Sequence, residues 1–146
     1  MIKEMLKRHE GYRNKTYKCP AGKNTIGVGH NFDSSPLPLA TQAHLNQYGA
    51  ITDEMIDQLL DADILIATKD CKKLYPGFDS FSEKRQAALI DFLFNVGIGT
   101  ASDFKQTNRY INAGLWDNAA ANMKQSKWYR QVGFRGVEIV KMIKEG

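Results

Sequence analysis

The chain has 146 residues, 42% of them hydrophobic, which is enough for one globular domain with a core of its own. A formal charge of +4 and a pI near 9.0 point to an anionic partner: nucleic acid, a membrane surface or an acidic wall polymer. The basic residues are scattered, which argues against a DNA reader; no apolar run is long enough to span a membrane, and Cys19 and Cys71 lack the spacing of a zinc site or disulfide framework.

The opening MIKEMLKRHEG is charged throughout and reads as neither a signal peptide nor an anchor, so synthesis in the cytoplasm is expected, with another agent needed to carry the protein outward. Ile2, Met5, Leu6 and His9 fall at i, i+3, i+4 and i+7, the stripe of a short amphipathic helix. Gly11 ends it and leaves Glu10 as its last residue. Residues 12–18 are polar and aromatic, Pro20–Asn24 reads as a turn, and Thr25–His30 alternates with period two, giving a β-hairpin with room for a third short strand near Phe32. Residues 33–50, with Pro36, Pro38 and Gly49, read as a loose connection.

Thr52 caps a long helix reaching about residue 73, with Asp53 and Glu54 in its first turn and Met55, Leu59, Ala62 and Ile66 as its expected buried face. After Tyr75-Pro76-Gly77, Ser82 caps a second helix whose AALIDFLFNVG is apolar nearly all round, the mark of a central buried helix. Shorter helices at about 103–113 and 116–124, an SKWY turn and a last helix from about 135 to 144 complete the chain. The class is α+β: a sheet lobe over about 12–51, a linking helix over about 52–73 and a helical lobe over about 74–146, on which the first helix is expected to pack.

The chemistry concentrates in HEGYRNKTYKCPAGKNTIGVGH, residues 9–30. Carbonyls at the end of a helix concentrate negative partial charge, which favours a protonated Glu10, the form a general acid needs. Position alone reads more readily as a solvated surface glutamate. Cys19 and Thr25 flank the Pro20–Asn24 turn and should meet at its base, within reach of Glu10. Taken singly, Cys19 reads more readily as a small inert residue, since nothing obvious in the sequence lowers its pKa. Thr25, Gly27 and Gly29 would share a strand face bare enough for a flat saccharide, or the glycines mark a twisted or bulged sheet. His30 reads as structural, packed beneath the sheet or tying down the Glu10 region, rather than as a proton carrier.

The spacing Glu10-x8-Cys19-x5-Thr25 resembles the glutamate, aspartate-or-cysteine and threonine triad of the phage-type lysozymes of glycoside hydrolase family 24. The likeness continues through LIDFLFNVGIGTASDF, AGLWDNAAANM and SKWYRQVGFRG, covering residues 1 to about 144. It implies a lysozyme-like fold and hydrolysis of the β-1,4 bond between N-acetylmuramic acid and N-acetylglucosamine in bacterial peptidoglycan. By the same resemblance Glu10 is the general acid, Cys19 and Thr25 position the water, Arg135 pairs with Glu10 across a cleft, and Asp91 and Asn95 are weaker candidates for substrate contact. A thiol where many relatives hold a carboxylate leaves the base open.

No cofactor, metal or nucleic acid is implied, nor stable membrane insertion; the expected form is a monomer whose partner is peptidoglycan, released by another agent or carried in a phage particle. Two other classes compete. One is an amidase or peptidase with Cys19 as nucleophile and His30 as base; the other is a non-catalytic cationic wall-binding protein.

Overall fold

The computed structural model describes residues 1–146, which form two compact units: Lys3–Ile64, and Leu65–Gly146 together with Met1–Ile2. In the first unit, α1 (Ile2–Glu10) stops where Gly11 takes φ +85 and its amide returns to the Lys7 carbonyl. A side chain at that φ would be strained, so glycine fixes Glu10 as the helix's last residue. Three short strands follow, β1 (Arg13–Lys18), β2 (Asn24–Gly27) and β3 (His30–Asn31), in an antiparallel sheet of order β1-β2-β3. Tyr17 stands opposite Thr25, and the register slips between Arg13 and Tyr17. Met5, Leu6, Ile26, Val28, Leu37, Ile51, Ile56, Leu59 and Leu60 bury the interior of this unit. Ion pairs Lys3–Asp61 (2.9 Å) and Lys7–Asp57 (3.5 Å) tie α1 to α3 (Asp53–Leu74). These pairs are largely exposed and secure alignment more than stability.

Residues 33–50 are not a loose connection: Leu39–Tyr48 form a helix, α2. Thr41 is its one buried residue, so no apolar stripe exists to reveal it. Its punctuation was nonetheless present, with Pro38 at the N-cap and Gly49 in the left-handed conformation just past the end.

The Thr52 hydroxyl does accept the Met55 amide, capping α3. Its buried face, however, is Ile56, Leu59, Leu60, Ala67 and Cys71; Ala62 is exposed and Ile66 is 55% exposed. The i, i+4, i+7 spacing also fits the neighbouring stripe, about 100° round the helix, and only tertiary packing chooses between them.

In the second unit Ser82 caps α4 (Glu83–Ser102) by accepting the Arg85 amide, and Ala87 to Leu93 are buried without a break. Gly97, at φ +79 and ψ 160, interrupts that helix. Around it lie α5 (Lys105–Asn112), α6 (Trp116–Lys124) and α8 (Phe134–Glu145). The SKWY segment is itself helical: α7 (Lys127–Val132) is six residues long, and Ser126 caps it by accepting the Tyr129 amide. Phe92 packs edge-on against Trp128 and Phe104 at centroid distances of 4.9 and 5.0 Å. No single helix is long and apolar enough to cross a membrane.

Candidate active site

The unit Lys3–Ile64 brings Glu10, Cys19, Thr25 and His30 onto one helix end and one sheet. Glu10, half-buried, lies over Gly29: a Cβ built there would fall 2.8 Å from Glu10 Oε1 and 2.9 Å from its Cδ. The carboxyl therefore rests on the turn between β2 and β3. This corrects the expectation of a bare glycine face, because Gly29 is covered by Glu10 and a Cβ at Gly27 would lie 3.4 Å from Ile56. Both glycines hold positive φ, +68 and +64, so the alternation of a flat strand stops at Gly27.

The 19–23 turn closes through Cys19 N–H to the Lys23 carbonyl (3.0 Å) and Gly22 N–H to the Cys19 carbonyl (2.8 Å). Its amides converge on the thiol. The Lys23 backbone amide, then that of Ala21, and the Thr25 hydroxyl offset its partial burial and lower the Cys19 pKa from the ordinary thiol value. That overturns the expectation that nothing lowers it. The donors come chiefly from backbone folding rather than from any charged neighbour in sequence, so no pattern of letters reports them.

Thr25 is buried, and its hydroxyl donates to the Lys23 carbonyl at 3.0 Å. One hydroxyl proton cannot serve that carbonyl and the sulfur at once. With the thiol protonated, S–H gives to Thr25 while Thr25 gives to Lys23; with a thiolate, the hydroxyl must turn to sulfur.

Cys71 contrasts in every respect, being fully buried on α3, with burial pushing its thiol up to about 12. Iodoacetamide near neutral pH is accordingly expected to label Cys19 and spare Cys71, as peptide mass spectrometry would check; labelling of both would contradict this placement.

His30 is buried, and both of its ring nitrogens are bonded. Nδ1 donates to Asp63 Oδ2 at 2.6 Å and Nε2 donates to the Ser35 carbonyl at 2.8 Å. Both partners accept, so the site favours the doubly protonated ring over the neutral one. Burial alone would lower its pKa, but the bond and charge of Asp63 outweigh it and the net shift is upward. A raised folded-state pKa gives stability that is fully present below the unfolded value of about 6.5 and is lost as pH rises through the folded one. Thermal melts should thus show stability falling over that window in the wild type and a flatter dependence in Asp63→Asn. With both nitrogens engaged, His30 is not placed to serve as a base for Cys19.

Tyr17 belongs to this site and was missed. Burial raises its pKa first, Glu10's charge adds to it, Arg13 opposes and Cys19 adds, so its phenol lies within electrostatic reach of both candidate groups. A period-two reading backward from Cys19 along β1 could have found it.

The remaining candidates lie in the unit Leu65–Gly146. Asp91 is fully buried, and Arg135 Nε donates to its Oδ1 at 2.8 Å, with Nη2 reaching the Asp91 carbonyl at 3.4 Å. Asn95 Oδ1 accepts the Trp128 indole N–H at 2.8 Å, which turns its amide into a fixed group.

Comparison with known proteins adds four findings. A family model described as phage lysozyme matches residues 7–141. Over 159 residues the chain is 30% identical to the pre-baseplate central spike protein Gp5 of Enterobacteria phage T4, covering 98% of this chain but 27% of that protein, so it spans about a quarter of that relative. It is 28% identical to the probable T4-type lysozyme 1 of Dictyostelium discoideum, covering 99% of this chain and 94% of the relative, and 30% identical to an endolysin of Acyrthosiphon pisum secondary endosymbiont phage 1, covering 84% and 75%.

Proposed function

The chain belongs to the phage lysozyme family, whose members are muramidase glycoside hydrolases, and from that membership we propose that it hydrolyses the β-1,4 bond between N-acetylmuramic acid and N-acetylglucosamine in bacterial peptidoglycan. The observation that carries this reading is the Glu10 carboxyl resting on Gly29, beside the hairpin where Cys19 and Thr25 meet. Glu10 delivers its proton to the glycosidic oxygen as the bond to the anomeric carbon breaks. Water adds to that carbon, held by the Cys19 thiolate and by a lone pair of the Thr25 hydroxyl, whose proton has turned from the Lys23 carbonyl to sulfur.

The backbone donors around sulfur favour negative charge there, so Cys19 is also suited to take the water's proton. Atoms and charge then balance: one proton leaves Glu10 for the sugar, and one returns from water to the protein. The basic net charge favours adsorption to anionic walls, an effect salt weakens. The protein acts as a monomer, reaching the wall by release through another agent or by carriage in a phage particle; likeness to a central spike protein favours the second.

The test is digestion of purified peptidoglycan by wild type, Glu10→Gln and Cys19→Ser, scored for new reducing ends and free amines. Reducing ends that disappear in Glu10→Gln support the glycosidase. Free amines that disappear in Cys19→Ser would instead establish the amidase, and lysis unaffected by either change would establish the wall-binding protein.

A further inference from the structure

An open cavity of about 560 Å³ lies along α5 beside the end of α4, lined by Ser102, Lys105, Asn108, Arg109, Asn112 and Ala113. All six belong to the unit Leu65–Gly146, and none is acidic. Hydrogen bonds to the chain behind it hold its amides in place. Asn108 Nδ2 donates to the Ala101 carbonyl at 2.9 Å while its Oδ1 accepts the Tyr75 hydroxyl at 2.8 Å, and Asn112 Nδ2 donates to the Leu74 carbonyl at 3.1 Å. Each amide nitrogen carries a second N–H beyond the one it gives there.

The two cations are uncommitted. Lys105 has no hydrogen-bond or ion-pair partner, and Arg109 reaches only Gln106 Oε1, at 3.4 Å. They stand four residues apart on one helix, so their Cβ atoms are about 6 Å apart on one face. Like charges at this spacing weaken a helix, and α5, KQTNRYIN, holds no carboxylate to offset them. By contrast, Lys72 and Lys73 on α3 have Asp79 and Asp70 at 3.4 Å. α5 thus keeps an uncompensated double positive charge against a cavity with fixed amide donors, an arrangement that a ligand's negative charge would relieve.

We propose that this cavity is a phosphate-binding site, taking a phosphate monoester borne by a polymer of the bacterial envelope. The envelope as source rests on the function proposed above; the site itself does not. Two positive charges match the charge of about −2 on a phosphate monoester, whereas a single carboxylate leaves one cation unmet. The planar fork of Arg109 can take two phosphate oxygens while Lys105 adds a compact charge beside it. Glu10, Cys19 and Thr25 belong to the other unit, so loss of these cations leaves the proposed chemistry intact.

Titration of 15N-labelled wild type and of the double variant Lys105→Gln, Arg109→Gln with inorganic phosphate above its second pKa tests the site, with acetate at matched ionic strength as control. Amide signals over 102–113 should move with phosphate and not with acetate, and the apparent Kd should rise roughly tenfold or more in the double variant. Sedimentation with envelope material, before and after its phosphates are stripped by hydrofluoric acid, identifies the source. Untreated material should retain wild type several-fold better than the variant, and stripped material should hold the two alike.

No movement near α5, equal movement with acetate, or movement that survives in the double variant overturns the site. Phosphate binding without any difference in sedimentation upholds the site for free phosphate and overturns the envelope as its source. On phosphate-free soluble glycan strands the variant should keep the wild-type rate and Tm; a lower rate there would place the cations in the glycan site and overturn a separate one. If Glu10→Gln stays active, the proposed function fails while the phosphate-dependent signals stand.

Discussion

Glu10→Gln is expected to reduce the rate of glycan cleavage about 10³-fold, the middle to upper range for loss of a general acid, while leaving the melting temperature within a few degrees of wild type. The two side chains have the same shape, so the amide can rest on Gly29 as the carboxyl does. What it lacks is a proton acidic enough to follow the leaving oxygen in the transition state. The loss should therefore appear in kcat with little change in KM, since ground-state binding of the sugar is untouched. Kinetics on soluble glycan strands with parallel thermal melts check both halves. A variant that melts normally and keeps more than about a tenth of wild-type activity would remove Glu10 from the chemistry.

Gly29→Ala should be the next most damaging change. Its backbone sits at φ +64, where a Cβ costs roughly 1–2 kcal/mol, and that Cβ would meet Glu10 Oε1 at 2.8 Å and Glu10 Cβ at 3.1 Å. Glu10 must move to relieve the contact, and displacement of this order costs on the order of 10²-fold in rate. Gly27→Ala is the built-in comparison. It carries similar strain, φ +68, but its Cβ would touch Ile56 at 3.4 Å, an ordinary contact remote from Glu10. Comparable melting temperatures for the two variants, with activity lost only in Gly29→Ala, would tie the rate loss to Glu10's position. Equal activity losses would assign it to the sheet as a whole.

How far the sequence spoke depended on whether the deciding interaction was local. Gly11 ends α1 at Glu10, and Thr52 and Ser82 cap their helices through contacts three residues away, so each was legible from neighbouring letters. The same holds for the buried run of α4. α2 escaped because a helix with one buried residue writes no stripe, and the face of α3 was misplaced because two adjacent stripes both fit its apolar spacing.

In the site, local patterning put Glu10 at the end of a helix and Thr25 on a strand, where α1 and β2 have them. The downward pull on the Cys19 pKa was not legible, since it comes chiefly from amides of a folded turn. Nor was the use of Gly29 as a seat for Glu10, since no period in a strand reports a side chain arriving from a helix.

The central claim is that a proton from Glu10 and a molecule of water together cleave the glycan. Digestion of purified peptidoglycan in 18O-labelled water, followed by mass spectrometry of the fragments, tests it most directly. The account predicts muramic acid reducing ends each carrying one labelled oxygen, formed by wild type and not by Glu10→Gln. Unlabelled anhydro ends, or label found only in peptide carboxyl groups alongside newly freed amines, would contradict it.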